Sequence, residues 1–94
     1  KFGYVRRVVE GADIEADRLR IDNAMQLYGF KFAEVRDGVL VYRAEGVVRR
    51  IILLFEDEIV VRRHEGGIEV EGKRREVVRI IFQLSAYIDN KRFE

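Results

Sequence analysis

Apolar and polar residues alternate with a period of two over several short stretches of this chain, and two longer stretches carry apolar residues at helical spacing. Residues 2–9 mix aromatic, β-branched and arginine side chains, which suits an edge strand. Asp13 then offers an N-cap for a helix running to Tyr28. Ile14, Ile21, Met25 and Tyr28 fall on one stripe of it, while Leu19 and Leu27 lie on its back. Arg18 stands four positions before Asp22 and is spaced to pair with it. Gly29 closes the helix as a left-handed cap residue. Asp37-Gly38 is a type I′ hairpin signal joining 30–36 to 39–44. Glu45-Gly46, Glu56-Asp57-Glu58 and Gly66-Gly67 punctuate three further strands, at 47–55, 59–64 and 68–71. Residues 75–91 return to helical spacing; their Val and Ile content also admits a strand start near 77–82, but the length of the pattern favours a helix.

The pattern predicts an α+β fold: an antiparallel five- or six-stranded meander sheet with an N-terminal helix over about 13–28 and a long C-terminal helix over about 75–91. The element order is β-α-β-β-β-β-β-α, in a single domain spanning 1–94. If every hairpin has a two-residue loop, the two sheet faces follow. One collects Phe32, Val39, Val41, Val48, Ile52, Leu54, Ile59, Val61, Ile68 and Val70, and is the face for the helices to cover. The other carries Val35, Leu40, Tyr42, Ile51, Leu53 and Phe55 on one half, and Arg49, Arg62, His64, Glu69 and Glu71 on the other. In that register Arg62 faces Glu71 and His64 faces Glu69.

On the final helix Val77, Ile81, Leu84 and Ile88 form a central stripe, widened by Ile80 and Tyr87 on one side and by Val78 and Phe82 on the other. That arc is wider than the roughly 100° one flat contact needs. Apolar surface is therefore in excess, and the expected remedy is a symmetric homodimer. The candidate interface residues are Leu40, Tyr42, Leu53 and Phe55 on the sheet, with Phe82 and Tyr87 on the helix.

Composition points the same way. A chain of 94 residues buries a modest core and gains from a helper. With no cysteine there are no disulfides, and one histidine argues against a structural metal, which leaves oligomerisation. No cofactor is expected. Charged residues reach 37%, yet the net charge is only +1, so no bulk field draws the chain to nucleic acid or membrane. Arginine far outnumbers lysine and uncharged polar residues are few, a thermophile-like composition suited to ion-pair networks. No run is long and apolar enough to span a bilayer, and Lys1 to Glu10 carries charge where a signal peptide would be apolar, so a cytoplasmic location is expected.

Three clusters carry candidate chemistry. Lys73, Arg74 and Arg75 precede the final helix, where cations oppose the dipole unless an anion sits there. Together with Arg49, Arg62 and Arg63 they form a candidate nucleic-acid or phosphate site; the competing reading is local neutralisation by Glu69, Glu71 and Glu76. His64 beside Glu65 or Glu69 is the one candidate general base, against a solvated cross-strand partner. Glu56-Asp57-Glu58 lacks the ligand spacing of a calcium loop and reads as a charged turn. Tyr28, Tyr42 and Tyr87 read as core or interface anchors.

The order of strand, helix, antiparallel meander and long helix is similar to the helix-grip arrangement, as in the repeat unit of TATA-box-binding proteins. Residues 49–64, two strands around an acidic turn, look like the sheet of small toxin ribonucleases, which cleave RNA with Arg and Lys. These resemblances imply element order only, and no functional residue is carried over from either. The expected function is a non-enzymatic, self-associating binding or assembly module. The alternative is a nucleic-acid or phosphate-binding module, and a small enzyme using His64 comes third.

Overall fold

A computed structural model describes residues 3–46 and 58–93. The expected strand at 47–55, with Arg49, Leu53 and Phe55, lies outside the described residues, as do Glu56 and Asp57. The elements are β1 (Tyr4–Glu10), α1 (Arg18–Leu27), β2 (Phe30–Arg36), β3 (Val39–Ala44), β4 (Glu58–His64), β5 (Gly67–Lys73) and α2 (Arg74–Lys91). The five strands form one sheet in the order β1-β5-β4-β3-β2, with every neighbouring pair antiparallel. From β2 to β5 the chain meanders, and β1 lies at the far edge beside β5. Thus α1 carries the chain from one edge of the sheet to the other. The fold is α+β, as the residue pattern predicts.

Asp37 and Gly38 both adopt positive φ, 53° and 77°, as the expected type I′ hairpin requires. The first helix starts later than its apolar stripe suggests. The Asp13 carboxylate accepts hydrogen bonds from the Glu15 and Ala16 amides at 3.0 and 2.7 Å, capping a turn that precedes α1. Helix α2 runs continuously through 77–82 despite its β-branched residues. Val77, Ile80, Leu84 and Ile88 are buried along it, and that packing outweighs the weaker propensity.

Pairing parity differs from the two-residue-loop expectation. Strand β3 pairs directly with β4, with Leu40 opposite Val61 and Tyr42 opposite Ile59. Those four residues therefore share one face, and that face carries the core together with Ile68 and Val70 of β5. Val39 and Val41 point the other way. An irregularity between Phe32 and Glu34 sets Phe32 opposite Tyr42, where a plain ladder would place it opposite Arg43. The two rings then meet edge to face, with centroids 5.8 Å apart at 72°. Between β4 and β5 the turn is Glu65-Gly66, so Arg62 lies opposite Glu69 and His64 opposite Gly67. Gly67 itself is needed inside β5, because a Cβ there would run into the backbone carbonyl of Val9 on β1.

Both helices cover the core face. Ile21, Ala24 and Met25 of α1 meet Phe30, Tyr42 and Ala44 there, alongside the buried stripe of α2. The stripe of α2 is rotated from the expected one: Ile80 is fully buried, and Ile81 and Tyr87 pack at the margin. The flank holding Val78 and Phe82 is turned outward as a consequence.

Candidate functional site

The described arginines proposed for nucleic acid are dispersed, and two of them, Arg62 and Arg63, hold carboxylates. Arg62 lies on the outer face of the sheet, where one guanidinium nitrogen donates to Glu69 and Glu71, both at 2.8 Å. Glu71 also accepts from Arg6 at 3.2 Å. The hydrogen bond from Arg62 holds the Glu71 carboxyl below its ordinary range against the opposing effect of burial, and Arg6 adds to it. Arg63, one residue on, points to the opposite face and pairs with Glu15 at 2.6 Å. Lys73 ends β5 opposite Tyr4, at the other end of the strand from Arg62 and its neighbours. Arg74 and Arg75 are exposed on the first turn of α2, with Glu76 beside them. Local neutralisation therefore accounts for Arg62 and Arg63.

A second ion-pair cluster occupies the other half of the outer face. Arg43 bridges Glu34 at 2.6 Å and Glu58 at 2.9 Å, while Arg36 bridges the same two carboxylates at 3.2 and 3.3 Å. Glu58, the described member of the acidic triplet, is occupied here. Among the described residues no group of three His, Asp or Glu is arranged to hold a metal ion.

His64 is exposed, with Nδ1 3.0 Å from the Glu65 carbonyl oxygen. It makes no ion pair among the described residues, and its cross-strand neighbour is Gly67. Among the described residues no carboxylate orients it, as a general base of the His–carboxylate type would need.

Two polar clusters escaped the sequence reading. Asp17 is 1% exposed and accepts from Lys91 Nζ at 2.6 Å and from the Asp13 amide at 2.8 Å, with Arg20 at 3.3 Å. Lys91 also reaches the Gly11 carbonyl at 3.3 Å, so it ties the end of α2 to the approach to α1. No periodicity links positions 17 and 91. The second cluster joins the elements around Tyr42. The Tyr42 hydroxyl donates to Asp22 at 2.5 Å, and Asp22 also holds Arg18 at 3.1 Å, the expected i,i+4 pair. The Arg18 guanidinium lies 4.1 Å from the Phe32 ring centre. Burial and the Asp22 carboxylate push the Tyr42 hydroxyl well above its usual pKa of 10.0. The first cluster ties the end of α2 to the approach to α1, and the second fastens α1 to β3.

Of the interface candidates, Leu40 and Tyr42 are spent within the subunit, at 6% and 0% exposure on the helix-covered face. Tyr87 packs against the core margin, and Tyr28 does likewise, with the Arg79 guanidinium 4.6 Å from its ring centre. Phe82 stands 78% exposed, with Val78 one turn before it at 47%. Ile81, Ser85 and Ala86 border them, and together with Asp89 these residues line a shallow, mostly apolar groove along α2. Other large apolar side chains in solvent, Leu19 and Leu27 on α1 among them, do not line it. No described helix is long and apolar enough to cross a membrane.

No family model matches the chain, and neither a curated protein nor a solved structure matches it significantly.

Proposed function

We propose that this chain is a self-associating binding or assembly module, homodimeric through the outward flank of α2, and that it works by binding rather than catalysis. The carrying observation is Phe82, the most exposed large apolar side chain of α2 at 78%, with Val78 at 47% one turn before it. A solvated phenyl ring in an apolar groove is what a buried interface anchor looks like before its partner arrives. The nucleic-acid reading is weaker, because Arg62 and Arg63 already hold carboxylates.

Size-exclusion chromatography with light scattering tests the proposal, on the protein alone and with mixed nucleic acid, at low and moderate salt. The expected result is a species near twice 11.1 kDa that ignores nucleic acid. A monomer at all accessible concentrations refutes self-association. A shift with nucleic acid that disappears as salt rises would move the function to the exposed cations around Arg74 and Arg75.

A further inference from the structure

The flank of α2 carries more information than its hydrophobicity. Arg75, Val78, Phe82, Ser85 and Asp89 follow one another at intervals of three and four residues, so they line one stripe of the helix. The stripe is apolar in the middle and charged at both ends, with opposite signs. Each charge stands where the helix dipole opposes it: Arg75 in the first turn and Asp89 in the last. Both are exposed, and neither forms an ion pair among the described residues.

We infer that the occupant of this groove is a second copy of the same helix, packed antiparallel about a two-fold axis at Phe82; this rests on the self-association proposed above. Two-fold symmetry makes the contact reciprocal, so a residue a given number of positions before Phe82 meets the residue the same number after it in the partner. Arg75 and Asp89 each lie seven positions from Phe82, on either side. Antiparallel packing therefore sets each arginine beside the aspartate of the other copy, at both ends of the contact. Val78 and Ala86 are each four positions away and meet in the same manner, and the small Ser85 and Ala86 leave room for the opposing Phe82 ring. Parallel packing would instead place like charge against like at both ends, so the charges select the antiparallel arrangement. Each helix end also lies beside the opposite dipole end of its partner, which relieves the unfavourable placement of the two charges. A helix of 18 residues is about 27 Å long, so the contact sits at the small end of specific interfaces and the dimer should have micromolar affinity.

Charge exchange tests this arrangement by sedimentation equilibrium over low to high micromolar concentrations. Arg75→Glu and Asp89→Arg are each expected to weaken the dimer about tenfold, since each single change sets like charges together at two symmetric places. The double variant is expected to regain wild-type affinity, and an equimolar mixture of the two single variants should associate better than either alone. Misfolding cannot mimic this pattern: both changes place a charge where the helix dipole favours it, and circular dichroism would confirm unchanged helicity. Phe82→Glu should weaken the dimer at least about thirtyfold, as expected for a central anchor. A wild-type chain that stays monomeric overturns both the self-association and this geometry. A wild-type dimer whose affinity ignores the single charge reversals, or is not regained in the double variant, overturns the antiparallel α2 contact and leaves self-association to another face.

Discussion

Lys91→Met should destabilise this fold far more than its surface position suggests. The substitution removes a 2.6 Å hydrogen-bonded ion pair to Asp17, a carboxylate that is 1% exposed. What remains to Asp17 is the Asp13 amide at 2.8 Å and the Arg20 guanidinium at 3.3 Å. Orphaning a buried charge completely costs about 3–5 kcal/mol. A hydrogen bond to a charged group contributes about 1.5–3 kcal/mol. Since two donors survive, the loss should fall near the smaller figure, about 2 kcal/mol. For a domain of this size that lowers Tm by on the order of 10 °C.

The pH dependence follows from the same site. Burial raises the Asp17 pKa, but the hydrogen bonds from Lys91 and the Asp13 amide, with the charges of Lys91 and Arg20, hold it below its ordinary 3.8. The folded pKa is thus lower than the unfolded one. The stabilisation is fully present above about pH 4 and is lost as pH falls through the folded value. Urea unfolding followed by circular dichroism, at pH 7 and pH 3, should show a gap of about 2 kcal/mol between wild type and Lys91→Met that narrows in acid. A gap under about 0.5 kcal/mol at pH 7 would mean the pair behaves like an exposed one, and a gap that widens in acid would refute the electrostatic account.

Other substitutions probe the sheet. Gly67→Ala drives a methyl group into the Val9 carbonyl and should separate β1 from β5, at a cost of about 2–3 kcal/mol, with faster amide exchange along β1 as the specific sign. Tyr42→Phe removes the hydroxyl from Asp22 and should cost about 1–2 kcal/mol in thermal unfolding. Because burial and Asp22 raise the folded pKa of Tyr42 above 10.0, its stabilisation persists below that pH and is lost as pH rises through the folded value; the difference in absorbance near 295 nm between wild type and Tyr42→Phe should show Tyr42 still protonated above pH 10.0, and its ionisation there with the fold intact would contradict the site. Arg62→Ala leaves Glu69 and Glu71 without their shared cation, so a loss of about 1 kcal/mol is expected, shrinking with added salt; no change at low salt would show the pair to be inert.

Several features were legible in the sequence because they are decided within a few residues. The Asp37-Gly38 turn needs positive φ at two positions, and the two residue types tolerate it. Arg18 and Asp22 meet because a helix brings positions four apart together. The length of the apolar pattern was enough to expect a helix over about 75–91, where α2 spans Arg74–Lys91, and the breadth of its arc signalled surplus apolar surface. What the residues could not decide was parity. A direct β3–β4 pairing sends Leu40 and Tyr42 into the core with Ile59 and Val61, and a bulge near Ala33 brings Phe32 onto the face of Tyr42. A one-residue change in pairing reverses every later side chain, and nothing local penalises either choice until the helices dock. The same docking rotated α2, buried Ile80 and left Phe82 in solvent. It also joined Asp17 to Lys91, two charges whose separation along the chain has no period. Local backbone chemistry thus settled which elements form, and long-range packing settled which of their faces are buried in the core and which stay in solvent.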